Sequence, residues 1–288
     1  MHHSLVRAIK SSLLLLTLWG VVSCSKEKKL TPDTSPAFYS LPQGNHSYDD
    51  SIVAFNKKYG TYILYRFSRQ DFAYNLTGYL PAVAGNGNEA YVQNTLNFFR
   101  TQCLDFYPES FLKQTMPFKI ILASYIDTIK QYAGYPPDTL RSITGFIPSI
   151  NMLAIGWTDS TLLKKTPEQL RRIKGYMHRC YFEQCLLSGA LEVPTEFIKL
   201  APKSYTSIGG YQPQDGMIEG YPENGASLAW DFLGYINAIT SHTKAELDAT
   251  ILSPSVDVNG IIQQKYDALI LYYKTQYGVD LQAIGDHP

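Results

Sequence analysis

The sequence has no surplus of either charge. Its 25 lysine and arginine residues are balanced by 25 aspartate and glutamate residues, and charged residues make up only 17% of the chain. Nucleic-acid-binding proteins carry a concentrated basic surface, so no DNA or RNA partner is expected. Hydrophobic residues make up 45% of the chain, which is ample for a sizeable core.

Cysteine is scarce, and no two of the four cysteines form a C-x-x-C pair. A cysteine-rich structural zinc site is therefore not expected. Apart from Cys24, the chain has Cys103, Cys180 and Cys185, which allow at most one disulfide. Because Cys180 and Cys185 are five residues apart on one predicted helix, their side chains point away from each other. A bridge would have to join Cys103 to one of them.

Two common catalytic motifs are also missing. The sequence has no G-x-S-x-G, which positions a serine nucleophile, and no glycine-rich phosphate loop. We interpret Gly85-Asn86-Gly87 as a turn.

The main apolar run, residues 13–22, is too short to cross a bilayer comfortably. It follows two basic residues and stops just before Ser23-Cys24, a pattern typical of a signal peptide with a bacterial lipobox. We therefore predict a signal peptide over residues 1–23, with acylation of Cys24 anchoring the mature chain in a membrane. The alternative is a secreted protein that is cleaved nearby.

Residues 24–47 are predicted to be the lipidated cysteine and a flexible tether, because they contain three prolines and few large apolar residues. Residues 48–288 show no second linker or change of composition, so we predict a single domain there.

The amino half of that domain has a mixed pattern. Helices are predicted over residues 49–58 and 88–106, where apolar residues recur at helical spacing. Strands are predicted over residues 62–67, 118–123 and 152–155, which are rich in β-branched and aromatic residues. Residues 131–149, rich in Gly, Pro, Thr and Ser, are predicted to form a loop.

The carboxyl half is predicted to be mostly helical. A helix over residues 166–187 has Thr166 as its N-cap, Pro167 at its first position and Gln169 completing a capping box. Further helices are predicted over residues 226–240, 244–251 and 258–277, with a long loop over residues 202–223. Strands followed by segregated helices indicate an α+β domain.

The helix over residues 166–187 carries His178-Arg179-Cys180-Tyr181-Phe182. In the motif H-E-x-x-H, two histidines on one helical face bind zinc, and the glutamate activates the bound water. Here Arg179 replaces the glutamate and cannot act as a base, while Phe182 replaces the second histidine and offers no lone pair.

Several segments, taken in order along the chain, resemble those of one protein family. They are the lipobox at Cys24, Tyr59-Gly60-Thr61-Tyr62-Ile63-Leu64-Tyr65-Arg66-Phe67, the helix that holds His178, Pro194-Thr195-Glu196-Phe197, Ser241-His242-Thr243 and Tyr277-Gly278-Val279-Asp280-Leu281. Together they resemble the substrate import-associated zinc metallohydrolases, which are Gram-negative lipoproteins also described as zinc-binding metallopeptidases. The resemblance spans most of the mature chain.

This resemblance implies a metallopeptidase-like (zincin-like) domain in an outer-membrane lipoprotein, facing the periplasm or the cell surface. It also implies outer-membrane import proteins as partners. The family's active helix bears H-E-x-x-H, and a later helix bears E-D-F-x-E, which aligns with Trp230-Asp231-Phe232-Leu233-Gly234. Only His178 and Asp231 remain as metal-ligand candidates, whereas catalytic zinc normally has three protein ligands.

The resemblance therefore implies a degenerate member: a pseudoenzyme with no catalytic residue and no metal expected. Glu183, five residues after His178, lies off its face of the helix, and Glu196 cannot simply replace a missing ligand. Two alternatives remain open. One is an active zinc hydrolase or peptidase with non-standard ligands, and the other is a purely structural envelope lipoprotein.

Each candidate residue also has a structural interpretation. His178 can be a hydrogen-bonded core histidine, Asp231 a cap or an ion-pair partner, and Cys180 a packing residue without a nearby base. His242 is predicted to be a surface or capping residue. His46, in the predicted tether, and His287, at the chain end, are poor third ligands.

The chain has 22 tyrosines, and three of them lie in the predicted loop over residues 202–223: Tyr205, Tyr211 and Tyr221. Exposed tyrosines bind sugars and peptides at a low entropic cost, so these three are candidates for a surface that binds a glycan or peptide ligand. Core packing is the alternative for most tyrosines of the chain.

Overall fold

The structure, a computed structural model, describes residues 38–73, 82–130, 134–142, 144–205, 213–219 and 225–288. The predicted signal peptide, Cys24 and the predicted tether up to residue 37 lie outside the described residues. Leu41–Pro288 form one compact unit. Gln43 and His46, which fall in the predicted tether, belong to this unit: Gln43 Nε2 donates to the Arg66 carbonyl (2.6 Å), and His46 caps a helix.

The amino half contains both helices and strands. They are α1 (Ser47–Tyr59), β1 (Tyr62–Leu64), α2 (Arg69–Ala73), β2 (Ala82–Asn86), α3 (Val92–Gln102), α4 (Glu109–Thr115), β3 (Lys119–Lys130), β4 (Asp138–Arg141), β5 (Phe146–Ser149) and β6 (Met152–Ile155). Short 3₁₀ turns, Glu89–Tyr91 and Leu104–Phe106, flank α3, so the single helix predicted over residues 88–106 is divided into three pieces.

Strand β3 is the centre of the sheet. Its first part pairs in parallel with β1 and β6, and its second part pairs antiparallel with β2 and β4. Strand β5 then pairs antiparallel with β6. The first part of β3 is buried between β1 and β6, with Ile120, Ile121 and Leu122 at 0% exposure, as expected for a strand that pairs on both edges.

Two sequence predictions in this region are wrong. Residues 131–149 were predicted to be a loop but contain β4 and β5. All four residues of β4 are exposed, so the strand has no apolar face that a hydrophobic pattern could show. Gly85-Asn86 was interpreted as a turn but ends strand β2, and a Cβ at Gly85 would lie 2.4 Å from the Tyr125 ring.

The carboxyl half is helical, as predicted. Its helices are α5 (Pro167–Ser188), α6 (Thr195–Leu200), α7 (Leu228–Ser241), α8 (Lys244–Ala249), α9 (Ile261–Tyr277) and α10 (Leu281–Asp286). The mixed amino half and the helical carboxyl half confirm the α+β class. None of the described helices combines the length and the apolar character needed to cross a membrane.

Helix α5 begins where its sequence signals predict and ends at Ser188, one residue beyond the predicted end at residue 187. Thr166 and Gln169 form the capping box, and Gly189 ends the helix in the left-handed conformation. The helix packs between the sheet and α7. Gly175 permits the close approach to α7, because a Cβ there would lie 2.6 Å from Cβ of Ser241. This packing fixes the positions of the side chains at residues 178, 179 and 182.

Candidate functional site

His178 lies on the buried face of α5 and has no exposed surface. Its Nε2 donates to the carbonyl of Gln102 (2.9 Å), so that nitrogen carries the hydrogen. Its Nδ1 then accepts a hydrogen bond from the Tyr107 hydroxyl (2.6 Å). Burial lowers the pKa of His178 to about 3, so the imidazole is neutral at physiological pH. Both ring nitrogens are therefore engaged by the protein.

Phe182, one turn after His178, lies in an aromatic cluster without exposed surface. Its ring centroid is 5.2 Å from that of Tyr273 and 6.2 Å from that of Phe232. Tyr107 and Phe111 complete the surroundings, each with a centroid distance of 6.4 Å. The position at which H-E-x-x-H would have its second histidine is thus part of the hydrophobic core.

Arg179 makes an ion pair with Glu219 and stacks on an aromatic ring. Its Nη1 lies 2.5 Å from Glu219 Oε2, and its guanidinium lies 4.3 Å from the centre of the Trp230 ring. The two charged side chains are only 11% and 22% exposed, so solvent screens the pair weakly. Glu219 also accepts from Asn237 Nδ2 (3.3 Å). Arg179 therefore links α5 to α7 and to the segment that holds Glu219.

A hydrogen-bonded group that we call the buried triad consists of Asp231, Lys265 and Tyr205. Asp231 Oδ2 accepts from Lys265 Nζ (2.6 Å) and from the Tyr205 hydroxyl (2.7 Å), and Lys265 also donates to the Gly216 carbonyl (2.9 Å). The side chains of Asp231 and Lys265 are 1% and 0% exposed. Burial raises the pKa of Asp231 and lowers the pKa of Lys265, while their attraction opposes both shifts. Asp231 Oδ1 is buried and has no hydrogen-bond partner among the residues that the structure describes.

Sequence reasoning identified His178, Arg179 and Asp231 but missed the residues that bind them. Lys265 lies inside a helical pattern where lysine is ordinary, and Glu219 lies in a predicted loop. Tyr107 is 71 residues before His178 in the chain. Of these residues, Lys265 is the one that helical periodicity could have identified, because it occupies a core-facing position of α9.

The residues at the motif positions do not fit a zinc ion. His178 is bonded to Tyr107 and Gln102, whereas Asp231 is bonded to Tyr205 and Lys265. Over the described part of the chain, no three His, Cys, Asp or Glu side chains lie together in a way that could hold a metal. Glu196 is exposed and pairs with Lys199, and burial raises the pKa of the partly buried Glu183.

The other histidines in the described part of the chain take structural positions. His242 caps the carboxyl end of α7, as predicted. His46 is the N-cap of α1, and its Nε2 lies 2.8 Å from Glu89 Oε2. The backbone carbonyl of His287 accepts from the buried Lys174 Nζ (2.5 Å).

The three cysteines in the described residues are free thiols, and all are buried: Cys103, Cys180 and Cys185. Burial raises the pKa of the Cys180 thiol, as expected for a packing residue. Of the three loop tyrosines, Tyr205 binds Asp231, while Tyr211 and Tyr221 lie outside the described residues.

Comparison with known proteins gives one structural likeness. No protein-family model and no curated protein match the sequence. A crystal structure described as that of a "putative zinc-binding metallo-peptidase" from Bacteroides caccae ATCC 43185 is similar to this chain, with a TM-score of 0.49 and 15% sequence identity. The match covers 83% of this chain and 88% of that one.

Proposed function

We propose that this protein is a non-catalytic, lipid-anchored protein of the Gram-negative cell envelope, with a metallopeptidase-like domain that serves as an accessory or binding component of nutrient import. The non-catalytic part of the proposal rests on the hydrogen bonds of His178. Both of its ring nitrogens are hydrogen-bonded inside the core, to the Tyr107 hydroxyl and the Gln102 carbonyl.

A zinc ion at His178 would have to displace one of these two hydrogen bonds. The displaced hydroxyl or carbonyl would then remain buried without a partner, at a cost of about 1–3 kcal/mol. The neighbouring motif positions supply no further zinc ligand, because Arg179 is bound to Glu219 and Phe182 is a core residue. Cleavage of peptides by the purified chain in the presence of zinc would contradict the proposal and favour the active hydrolase.

The anchoring and import parts of the proposal rest on sequence. The lipobox ends at Cys24, and the ordered segments described above resemble those of lipoproteins associated with substrate import. Outer-membrane import proteins and a glycan or peptide ligand are the partners of the proposal.

Replacing Cys24 with alanine is expected to abolish lipid labelling, because the cysteine is the residue of a lipobox that receives the lipid. Cells expressing the wild-type chain or Cys24→Ala would be grown with radiolabelled palmitate and fractionated. The Cys24→Ala chain should be unlabelled and should leave the membrane fraction. Cys103→Ala is the matched control and should keep its label. Membrane association that is unchanged in Cys24→Ala would reject the lipobox.

A purely structural envelope lipoprotein is the second candidate. The observation that favours it is that the positions of the former motif are filled by packed side chains, with Phe182 and Tyr181 both fully buried. Saturable binding of any ligand to the purified chain separates a binding component from a structural one.

A further inference from the structure

A small cleft lies beside the first three turns of α5, where that helix meets the segment that follows β6. It is lined by Trp157, Lys165, Gln169, Arg172, Ile173 and Tyr176. Its volume is about 150 Å³. Pockets for drug-sized ligands enclose roughly 300–1,000 Å³, so this cleft suits a smaller ligand with a single ring. We call it the Trp157 cleft.

The charged side chains that line the Trp157 cleft are both positive. They are Lys165 and Arg172, and among the described residues no aspartate or glutamate lines the cleft. Over the described part of the chain, neither cation makes an ion pair with a carboxylate. Glu168 lies in the first turn of α5 but does not line the cleft. The two positive charges are therefore not offset at the cleft, which complements an anionic group.

A neutral side chain adds a further hydrogen-bond donor. Gln169 Oε1 accepts from the backbone N–H of Thr166 (3.0 Å), as part of the capping box, so the NH₂ group of the same amide remains available to a ligand. The ammonium group of Lys165 and the guanidinium group of Arg172 donate and cannot accept. A group that satisfies these three donors is rich in acceptors, as carboxylates and phosphates are.

Two aromatic rings form the walls of the cleft. The Trp157 ring is fixed because its Nε1 donates to the Thr144 carbonyl (3.3 Å) and because it packs against Gly145, where a Cβ would clash with the indole. Lys165 Nζ lies 4.4 Å from the centre of the Trp157 ring, which holds the ammonium group at the cleft. Tyr176 is only partly buried. Aromatic walls beside polar donors suit a sugar ring, which has both an apolar face and hydroxyl groups.

We infer that the Trp157 cleft binds a single sugar ring that carries a carboxylate or a phosphate. The anionic group lies between Lys165 and Arg172, and the ring packs against Tyr176. The inference goes beyond the proposed function, because the cleft shares no residue with the surroundings of the H-E-x-x-H positions. Neither zinc content nor lipid labelling depends on it.

The test is isothermal titration calorimetry of residues 25–288, which contain the whole compact unit Leu41–Pro288. The probes are glucuronate, glucose 6-phosphate, glucose and glucosamine, all at one ionic strength. We expect saturable binding of at least one of the two anionic sugars, about tenfold or more tighter than glucose, with glucosamine the weakest ligand. Comparison of the two anions shows whether the carboxylate or the phosphate is preferred.

Three results of these titrations would overturn the inference. One is the absence of saturable binding of both anionic sugars, and another is binding of glucose as tight as that of either anion. The third is binding of inorganic phosphate as tight as that of glucose 6-phosphate, because the sugar ring would then contribute nothing.

Two variant pairs locate the site. Arg172→Gln and Lys165→Met should each weaken binding of the preferred anionic sugar about tenfold or more. The matched controls are Arg100→Gln and Lys164→Met, at exposed residues that do not line the cleft, and their affinity should equal that of the wild type. Unfolding temperatures confirm that each variant is folded. Unchanged affinity in both cleft variants would overturn the inference. An equal loss in the controls would do so too, because the effect would then come from net charge.

Discussion

Acidification from pH 7 to pH 4 is expected to lower the stability of the folded protein by about 3 kcal/mol through His178 alone. Burial holds the pKa of His178 at about 3 in the folded state, below the value of about 6.5 in an unfolded chain. Between these two values the unfolded chain binds a proton that the folded protein does not. The contribution of His178 is therefore fully present above pH 6.5 and is lost as the pH falls toward 3.

The measurement is urea unfolding of the wild-type chain and of His178→Gln at several pH values. His178→Gln should be the less stable protein at pH 7, because the Tyr107 and Gln102 contacts are disturbed. The unfolding free energy of the wild type, relative to that of His178→Gln, should be about 3 kcal/mol lower at pH 4 than at pH 7, since only the wild type has the imidazole at residue 178. His242→Gln, which replaces an exposed histidine outside the core, is the matched control. A difference that stays constant with pH would show that His178 titrates normally.

Replacing Lys265 with methionine is expected to destabilise the protein by about 3–5 kcal/mol. The side chains of Lys265 and Asp231 are 0% and 1% exposed, so loss of the ammonium group leaves a carboxylate in the core. Within the described part of the chain, Tyr205 is then its remaining side-chain hydrogen-bond donor. Removing both charges should be much less harmful, because no unpaired charge is then left buried. The double variant Lys265→Met with Asp231→Leu should therefore recover most of the lost stability.

Lys274→Met is the matched control on the same helix. Lys274 pairs with Asp280 at 3.1 Å, but these side chains are 65% and 43% exposed, and exposed pairs contribute about 0–1 kcal/mol. Chemical unfolding of the variants at pH 7 gives the comparison. If Lys265→Met loses no more stability than Lys274→Met, the buried triad has no structural importance.

The sequence signals predicted the helices better than the contacts between them. Helix α5 could be located from its capping box and Pro167, because those signals act within one turn of the chain. The partners of His178 could not be located, since Tyr107 and Gln102 are 71 and 76 residues away along the chain. Whether a helical histidine faces a metal or a tyrosine depends on such distant packing.

The same limit applies to the candidate site as a whole. The sequence showed that Arg179 and Phe182 cannot perform the chemistry of H-E-x-x-H, because side-chain chemistry alone decides that question. It did not show that Arg179 binds Glu219 or that Phe182 packs against Tyr273. Strand β4 was missed for a related reason: it is held by backbone pairing with β3, which leaves no apolar alternation in its sequence.

The zinc content of the purified chain tests the central claim most directly. Residues 25–288 would be loaded with zinc, desalted and analysed for metal per chain, beside His178→Ala and His242→Ala, with circular dichroism to confirm that each is folded. The account predicts far less than one zinc per chain in all three, because both nitrogens of His178 are held by the protein. Close to one zinc per chain in the wild type and His242→Ala, lost in a folded His178→Ala, would contradict it and establish a working metal site.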